Sequence, residues 1–422
     1  MLPWSEFSNH LAPTAPLAIT DSTCHPAVEI GEEFVRILDQ QLPRVRSHSR
    51  LVPAADPFRH LCHDACLLRN ARTVALGARY GMPVLLEGDT SASKTTAIAW
   101  VAHLIGQPVL RLNLHGQTDT GELVGRYVPN TAPAGSTHPH RVPAASAARF
   151  TYVPTPLDSP TAWNKWDGVG PEAHATVPPW IFKEGGVPQG MRHGWWVLLD
   201  EINLAEPQVL ERLNPVLESP PSLVLSEGDG TVFGAGGSVS IDPGFRLFAT
   251  MNPAEYAGRS ALSTAFRDRW LVWHQAEAPG ESTFAAMLHR LVFGEHPEFL
   301  FRGRRYQSPR STPAFPCLAG LAGIRDLLPR LAMFHASLSQ ASGMGGAVPT
   351  LGRVRKERYV FTRRSLLTCL RLLETAVRED PATSLEHHLR ETIEVAYLGR
   401  LRDGVDRPAA VTLLRAAGLA ER

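Results

Sequence analysis

The chain has 422 residues, with 42 Lys+Arg against 41 Asp+Glu and a formal net charge of +1. That length predicts two or three packed units, and the balanced charge argues against an obligatory nucleic-acid or anionic-membrane partner while permitting self-association. Hydrophobic residues at 44% and charged residues at 20% are ordinary globular usage, which excludes collagen-like, coiled-coil and wholly disordered chains. No run approaches the roughly 18 to 20 apolar residues of a membrane span. Residues 1–20 lack the basic end and apolar run of a signal peptide, and five scattered cysteines make no disulfide framework, so a cytoplasmic location is expected.

The 35 prolines exceed the usual share of about 5%. They predict a Pro-rich N-terminal extension over 1–56, with one amphipathic helix over 28–42 on which Ile30, Phe34, Ile37 and Leu38 share a face. An α/β unit is expected over 57–275. In it a helical stretch over 57–80 leads through Gly81-Met82-Pro83 to a buried strand, Val84-Leu85-Leu86. A helix over 97–105 and a strand over 109–112 follow. The stretch 127–182 is rich in Pro, Ala, Thr and His, lacks periodicity and reads as an insertion. Strands are expected over 195–199 and 245–250 and a helix over 206–217. A hairpin is expected over 223–233 around Glu227-Gly228-Asp229-Gly230. From about Ala276 to 422 the strands stop and an all-helical unit begins, with Thr362 and Ser384 as helix caps.

The sharpest motif is Gly88-Asp89-Thr90-Ser91-Ala92-Ser93-Lys94-Thr95, set between a buried strand and a helix. That context lets backbone N–H groups and a helix N-terminus wrap phosphates, with Lys94 on the β/γ-phosphates and the Thr95 hydroxyl on Mg²⁺. Ser93 stands where the pattern G-x-x-x-x-G-K-[ST] has its second glycine. About a hundred residues on, Trp195-Trp196-Val197-Leu198-Leu199-Asp200-Glu201 is an apolar strand ending in two acids. Phosphoryl transfer needs a metal clamp, here Asp200, and a group that polarises water, here Glu201. His60, Cys62, His63 and Cys66 lie close together, but no second cluster at zinc spacing accompanies them, and buried cysteines are the expectation.

These segments, with Phe248-Ala249-Thr250-Met251-Asn252-Pro253, resemble the Walker A, Walker B and sensor 1 segments of AAA+ ATPases. The likeness is nearest to the MoxR, midasin and dynein-related branch. There Gly258-Arg259-Ser260-Ala261-Leu262-Ser263-Thr264-Ala265-Phe266-Arg267-Asp268-Arg269-Trp270 is similar to the arginine-finger segment. Residues 118–129 resemble the lead into an insertion within helix 2. The resemblance implies a P-loop, three-layer α/β core on a parallel sheet followed by a helical lid. It also implies an ATP and Mg²⁺ site in which Gly88, Asp89, Thr90, Ser91, Ala92, Ser93, Lys94, Thr95 and Thr96 hold nucleotide and Thr95 and Asp200 hold metal. Lys94, Glu201, Asn252 and Arg269 would carry the chemistry, with Arg267 as the second claimant for the finger. Arg364 would be sensor 2 and Asn113 would restrain the catalytic glutamate.

An arginine that serves another subunit's nucleotide implies a ring, by family expectation a hexamer, in which the insertion and the hairpin project toward a client. The resemblance implies a chaperone-like remodelling ATPase acting on a protein client, with a separate von Willebrand factor A domain partner. Two alternatives remain open. One is a nucleotide-dependent assembly switch with little turnover, motivated by Ser93. The other is a nucleic-acid motor that would use the basic stretch 353–364.

Overall fold

The structure, a computed structural model, describes residues 23–130, 179–253, 259–353, 359–402 and 404–420. Its first elements correct the expectation for the extension. Strands β1 (Cys24–Pro26), β2 (Val28–Ile30), β3 (Phe34–Ile37) and β4 (Gln40–Pro43) stand where a helix over 28–42 was expected. β2, β3 and β4 pair antiparallel in sequence order. Val35 and Ile37 point inward and Arg36 between them points out, the period of two that β-branched residues favour on a pleated surface. Leu38 and Asp39 form the two-residue turn, with Ile37 paired to Gln40 across it. Burying Val35, Ile37 and Leu42 contributes about 1.5–3 kcal/mol each, far above the exposed Arg36–Glu29 ion pair.

Helix α1 (Ala65–Tyr80) starts at Asp64, whose side chain accepts from the Leu67 N–H, and stops at Gly81 in the left-handed region. β5 (Val84–Glu87), α2 (Lys94–Ile105) and β6 (Val109–Asn113) follow. β7 (Gly125–Pro129) and β8 (Trp180–Glu184) pair antiparallel and bracket most of the expected insertion, whose Trp163 and Trp166 lie outside the described residues. Beyond them come α3 (Gly186–His193), β9 (Trp196–Asp200), the two-stranded hairpin β10 (Leu223–Val224) and β11 (Val232–Phe233), then β12 (Arg246–Met251) and β13 (Val272–Gln275). The expected helix over 206–217 is two short helices, Pro207–Glu211 and Asn214–Leu217.

One parallel sheet runs in the order β13-β5-β12-β9-β6. Its three inner strands, β5, β12 and β9, are buried along nearly their whole length because both faces are covered. Ala71, Val74, Ile98 and Val101 of α1 and α2 pack on one face, together with Val35 and Ile37 of the N-terminal strands. Val187, Met191, Leu210 and Leu213 pack on the other. The three-layer α/β core of a P-loop protein is therefore present.

The C-terminal region is a helical lid with its own core. α4 (Glu281–Phe293) precedes a short hairpin, β14 (Phe299–Phe301) and β15 (Arg304–Gln307). α5 (Ile324–Ala341), α6 (Arg363–Glu379), α7 (Leu385–Ala396) and α8 (Asp406–Ala416) complete it around Leu291, Phe334, Leu366, Leu370 and Ile393. Strands do not stop at 276, because β15 pairs parallel with β1 and needs that partner. Asp39 ties the same region together, accepting from Arg72 Nε at 2.6 Å and Nη2 at 2.8 Å and from Arg302 at 3.4 Å. Burial opposes its charge, yet Arg72 holds the Asp39 carboxyl below the usual carboxylate value.

Candidate functional site

The loop between β5 and α2 has the conformation that phosphate binding requires. Gly88 has φ 154°, and a Cβ there would lie 2.5 Å from the Ala276 carbonyl oxygen, so only glycine fits. Ser91 (φ 74°) and Ser93 (φ 61°) both adopt left-handed backbone. Ser93 thus takes the shape of the glycine it replaces, and α2 begins directly after it with its first N–H groups turned into the loop. Asn70 of α1 donates to the Ala92 carbonyl at 2.6 Å and anchors the loop from behind.

Lys94 is buried and points back across this loop. Its ammonium donates to the carbonyls of Gly88 (2.6 Å) and Asp89 (2.8 Å) and to Asn252 Oδ1 (2.9 Å). Burial pushes its pKa down to about 8, while Asp89 and Asp200 pull the other way. Asp89 is nearly buried, and its Oδ2 accepts from the N–H of Gly345 in the lid at 2.6 Å. The lid therefore touches the phosphate loop directly.

Strand order explains why Asn252 reaches both halves of the site. β12 lies between β5 and β9, so a side chain just past its C-terminal end faces the phosphate loop on one side and the two acids on the other. Asn252 Oδ1 accepts from Lys94, and its Nδ2 approaches Glu201 Oε1 at 3.4 Å. Asp200 Oδ1 accepts from Thr95 Oγ1 at 2.7 Å and from Thr250 Oγ1. Its Oδ2 accepts from Arg111 Nε at 3.0 Å and from Arg111 Nη2. Glu201 stands at φ 58°, a strained conformation for a side-chain-bearing residue, with its N–H donated to Thr250 Oγ1 at 3.2 Å.

The hydroxyl of Thr95 and the carboxylate of Asp200 are hard oxygen donors side by side at the loop, which suits Mg²⁺. Among the described residues no group of three or more His, Cys, Asp or Glu side chains is placed to hold a metal ion. A metal at Thr95 and Asp200 would therefore take the rest of its shell from water and phosphate, the usual habit of Mg²⁺.

Other expected residues fall differently. Asn113 is exposed at the end of β6, opposite Asp200 in register, and the side chains that meet Glu201 are Asn252 and Arg259, the latter at 3.6 Å. Arg259 also approaches Asn203 Oδ1 at 3.4 Å, and Asn203 donates to the Asn252 carbonyl at 2.8 Å. Arg364 is exposed at the start of α6. Its neighbour Arg363 turns inward and pairs with buried Asp64 at 2.8 Å. Arg269 donates to Glu218 at 2.7 Å and to the Ala265 carbonyl, while Arg267 lies 3.7 Å over the Trp273 ring. Cys62 and Cys66 are buried, and burial raises both thiols. His63 stacks on His296 at 4.3 Å, and burial pushes it down to about 3. None of this resembles a zinc site.

Arg111 on Asp200 carries no sequence signal of its own, and Arg259, although it lies in the arginine-finger segment, gives no sign there of its contact with Glu201. Arg363 did carry one. It lies three residues before Leu366 and seven before Leu370, on the buried stripe of α6, whereas Arg364 shares the exposed face of Thr368 and Arg371.

A buried lysine and a threonine at a strand-to-helix loop, two acids ending the neighbouring strand but one, and an asparagine between them define an AAA+ ATPase domain. Residues 83–270 match the family model of the AAA domain, dynein-related subfamily. The chain carries an AAA+ domain of the dynein-related branch. It is 31% identical over 219 residues to midasin of Giardia intestinalis, covering 52% of this chain and 4% of that one. It is 26% identical over 344 residues to midasin of Dictyostelium discoideum, covering 76% of this chain and 5% of that one. The chain thus spans only about a twentieth of these relatives. Among solved structures, a RuvB mutant of Thermotoga maritima aligns over 79% of this chain and 71% of its own at 12% identity, with a TM-score of 0.39. No helix among the described residues is long and apolar enough to cross a membrane.

Proposed function

We propose that the chain hydrolyses ATP with Mg²⁺ and converts the hydrolysis into lid motion that remodels a protein client. The observation that carries this reading is the convergence of Lys94, Thr95, Asp200, Glu201 and Asn252 from three strands onto one loop. Lys94 leaves the carbonyls of Gly88 and Asp89 for the β/γ-phosphates. The main-chain N–H groups over 88–96, those of Gly88, Asp89, Thr90, Ser91, Ala92, Ser93, Lys94, Thr95 and Thr96, surround the phosphates. Mg²⁺ held by Thr95 and Asp200 supplies neutralisation of phosphate charge. Glu201 takes the proton of the attacking water and Asn252 holds that water in line.

Arg269 serves a neighbouring subunit's site in this reading, which makes the working form a ring. An arginine finger is worth about 10³ to 10⁵ in turnover. The lid senses nucleotide through Gly345 on Asp89, and Arg364 at the start of α6 is the sensor 2 residue that the resemblance implies. A hexamer, a von Willebrand factor A domain partner and a cytoplasmic setting extend the same reading. They rest on resemblance to the family.

The left-handed Ser93 favours turnover over the assembly-switch alternative, because the serine keeps the glycine-shaped loop instead of distorting it. Steady-state hydrolysis by the parent and by Glu201→Gln decides between them. A fall of about 10² to 10⁴ in kcat with retained nucleotide binding is expected. Equal turnover in the two proteins would overturn the reading.

A further inference from the structure

Arg111 belongs to no recognised motif, yet it makes the closest charged contact in the site. It leaves β6, the edge strand of the sheet, opposite Leu198, and its side chain reaches two residues along β9 to Asp200. Both Nε and Nη2 donate to one oxygen, Oδ2, of an aspartate whose side chain is 7% exposed, while the Arg111 side chain is 53% exposed. The other oxygen, Oδ1, is committed to Thr95 and Thr250.

The terminal torsion of an aspartate is broad, so a carboxylate anchored only at Oδ1 could rotate away from Thr95. A planar guanidinium gripping Oδ2 removes that freedom, and its donor fork fixes direction as well as charge. The backbone supports the arrangement, since the Leu114 N–H donates to the Asp200 carbonyl at 3.0 Å just beyond the β6–β9 ladder.

We infer that Arg111 is a positioning residue for the metal site, turning Asp200 so that Oδ1 stays beside Thr95. The inference rests on the reading of Thr95 and Asp200 as the residues that hold Mg²⁺. Carboxylates that bind metals are commonly oriented by such outer partners, whose loss costs about 10- to 100-fold in metal affinity.

The test is a Mg²⁺ titration of fluorescent-ATP binding by the full chain, comparing the parent with Arg111→Ala, Arg111→Lys and Asp200→Asn. Arg111→Ala should raise the half-saturating Mg²⁺ concentration by about 10- to 100-fold, with metal-free nucleotide binding unchanged. Arg111→Lys should recover part of the loss, because an ammonium restores the charge without the fork. Asp200→Asn should abolish the Mg²⁺ dependence. If Asp200→Asn does so while Arg111→Ala titrates like the parent, this inference alone fails. A lower half-saturating concentration in Arg111→Ala would make Arg111 a competitor of the metal and would also overturn it. If Asp200→Asn titrates like the parent, the metal-site reading fails and takes the inference with it.

Discussion

Ser93 carries the backbone of a glycine, with φ 61° and ψ 22°. A left-handed conformation costs a side-chain-bearing residue roughly 1–2 kcal/mol, and glycine returns about 0.5–1 kcal/mol of that through its freer unfolded chain. Ser93→Gly should therefore stabilise the protein by up to about 1 kcal/mol in urea unfolding and leave turnover intact. A loss of stability would mean that the hydroxyl makes a compensating contact. Lys94 gives a second prediction at this scale. Its pKa in the free protein is held at about 8 by burial, and phosphates around the ammonium raise it. Affinity is then full below about pH 8 and falls as pH rises through that value, because above it the bound state must take up a proton. Calorimetry at pH 8.5 in two buffers of different ionisation enthalpy should show proton uptake on ATP binding by the parent. An absence of uptake would show that the free lysine is already fully charged at that pH.

The elements show what sequence patterns can and cannot specify. The phosphate loop was legible because a buried strand, a glycine that admits no Cβ and a helix start must coincide there, and the strand ending in Asp200 was legible as an apolar run closed by acids. The N-terminal strands were misread because Ile30, Phe34, Ile37 and Leu38 also fit a helical face. The competing signal was the inward alternation of Val35 and Ile37 and the turn at Leu38-Asp39. The contact of Arg111 with Asp200 could not be found by spacing, since only the pairing of β6 with β9 brings them together, and that of Arg259 with Glu201 joins residues far apart in the chain. Helix α6 supplies a prediction of its own. Removing Arg363 leaves the carboxylate of Asp64 buried without its cation, so Arg363→Met should cost about 3 kcal/mol in urea unfolding. Arg364→Ala, on the exposed face, should stay within about 0.5 kcal/mol. Equal effects would mean that the two arginines share the contact with Asp64.

At the scale of the whole molecule, two packed units meet at the phosphate loop and also along β1–β15, where Phe299 and Tyr306 join the core of the sheet domain. The sheet domain has cores on both faces and the helices of the lid have their own. The contact that joins the lid to the phosphate loop is the Gly345 N–H on Asp89, while Arg363 on Asp64 ties the lid to the start of α1. The near-neutral net charge fits a chain that packs against copies of itself. Arg269, held by Glu218 in the single chain, is the residue through which one copy would act on the next.

The central claim is an ATPase whose site is completed by a neighbour, and mixing two inactive variants tests it most directly. Glu201→Gln keeps its finger and loses its own chemistry, whereas Arg269→Ala keeps its chemistry and offers no finger. Mixed in equal amounts, they should recover about a quarter of parental hydrolysis, since random pairing seats an intact finger against an intact site at that frequency. Hydrolysis that stays at the level of the separate variants, or an Arg269→Ala protein that is fully active alone, would contradict the account.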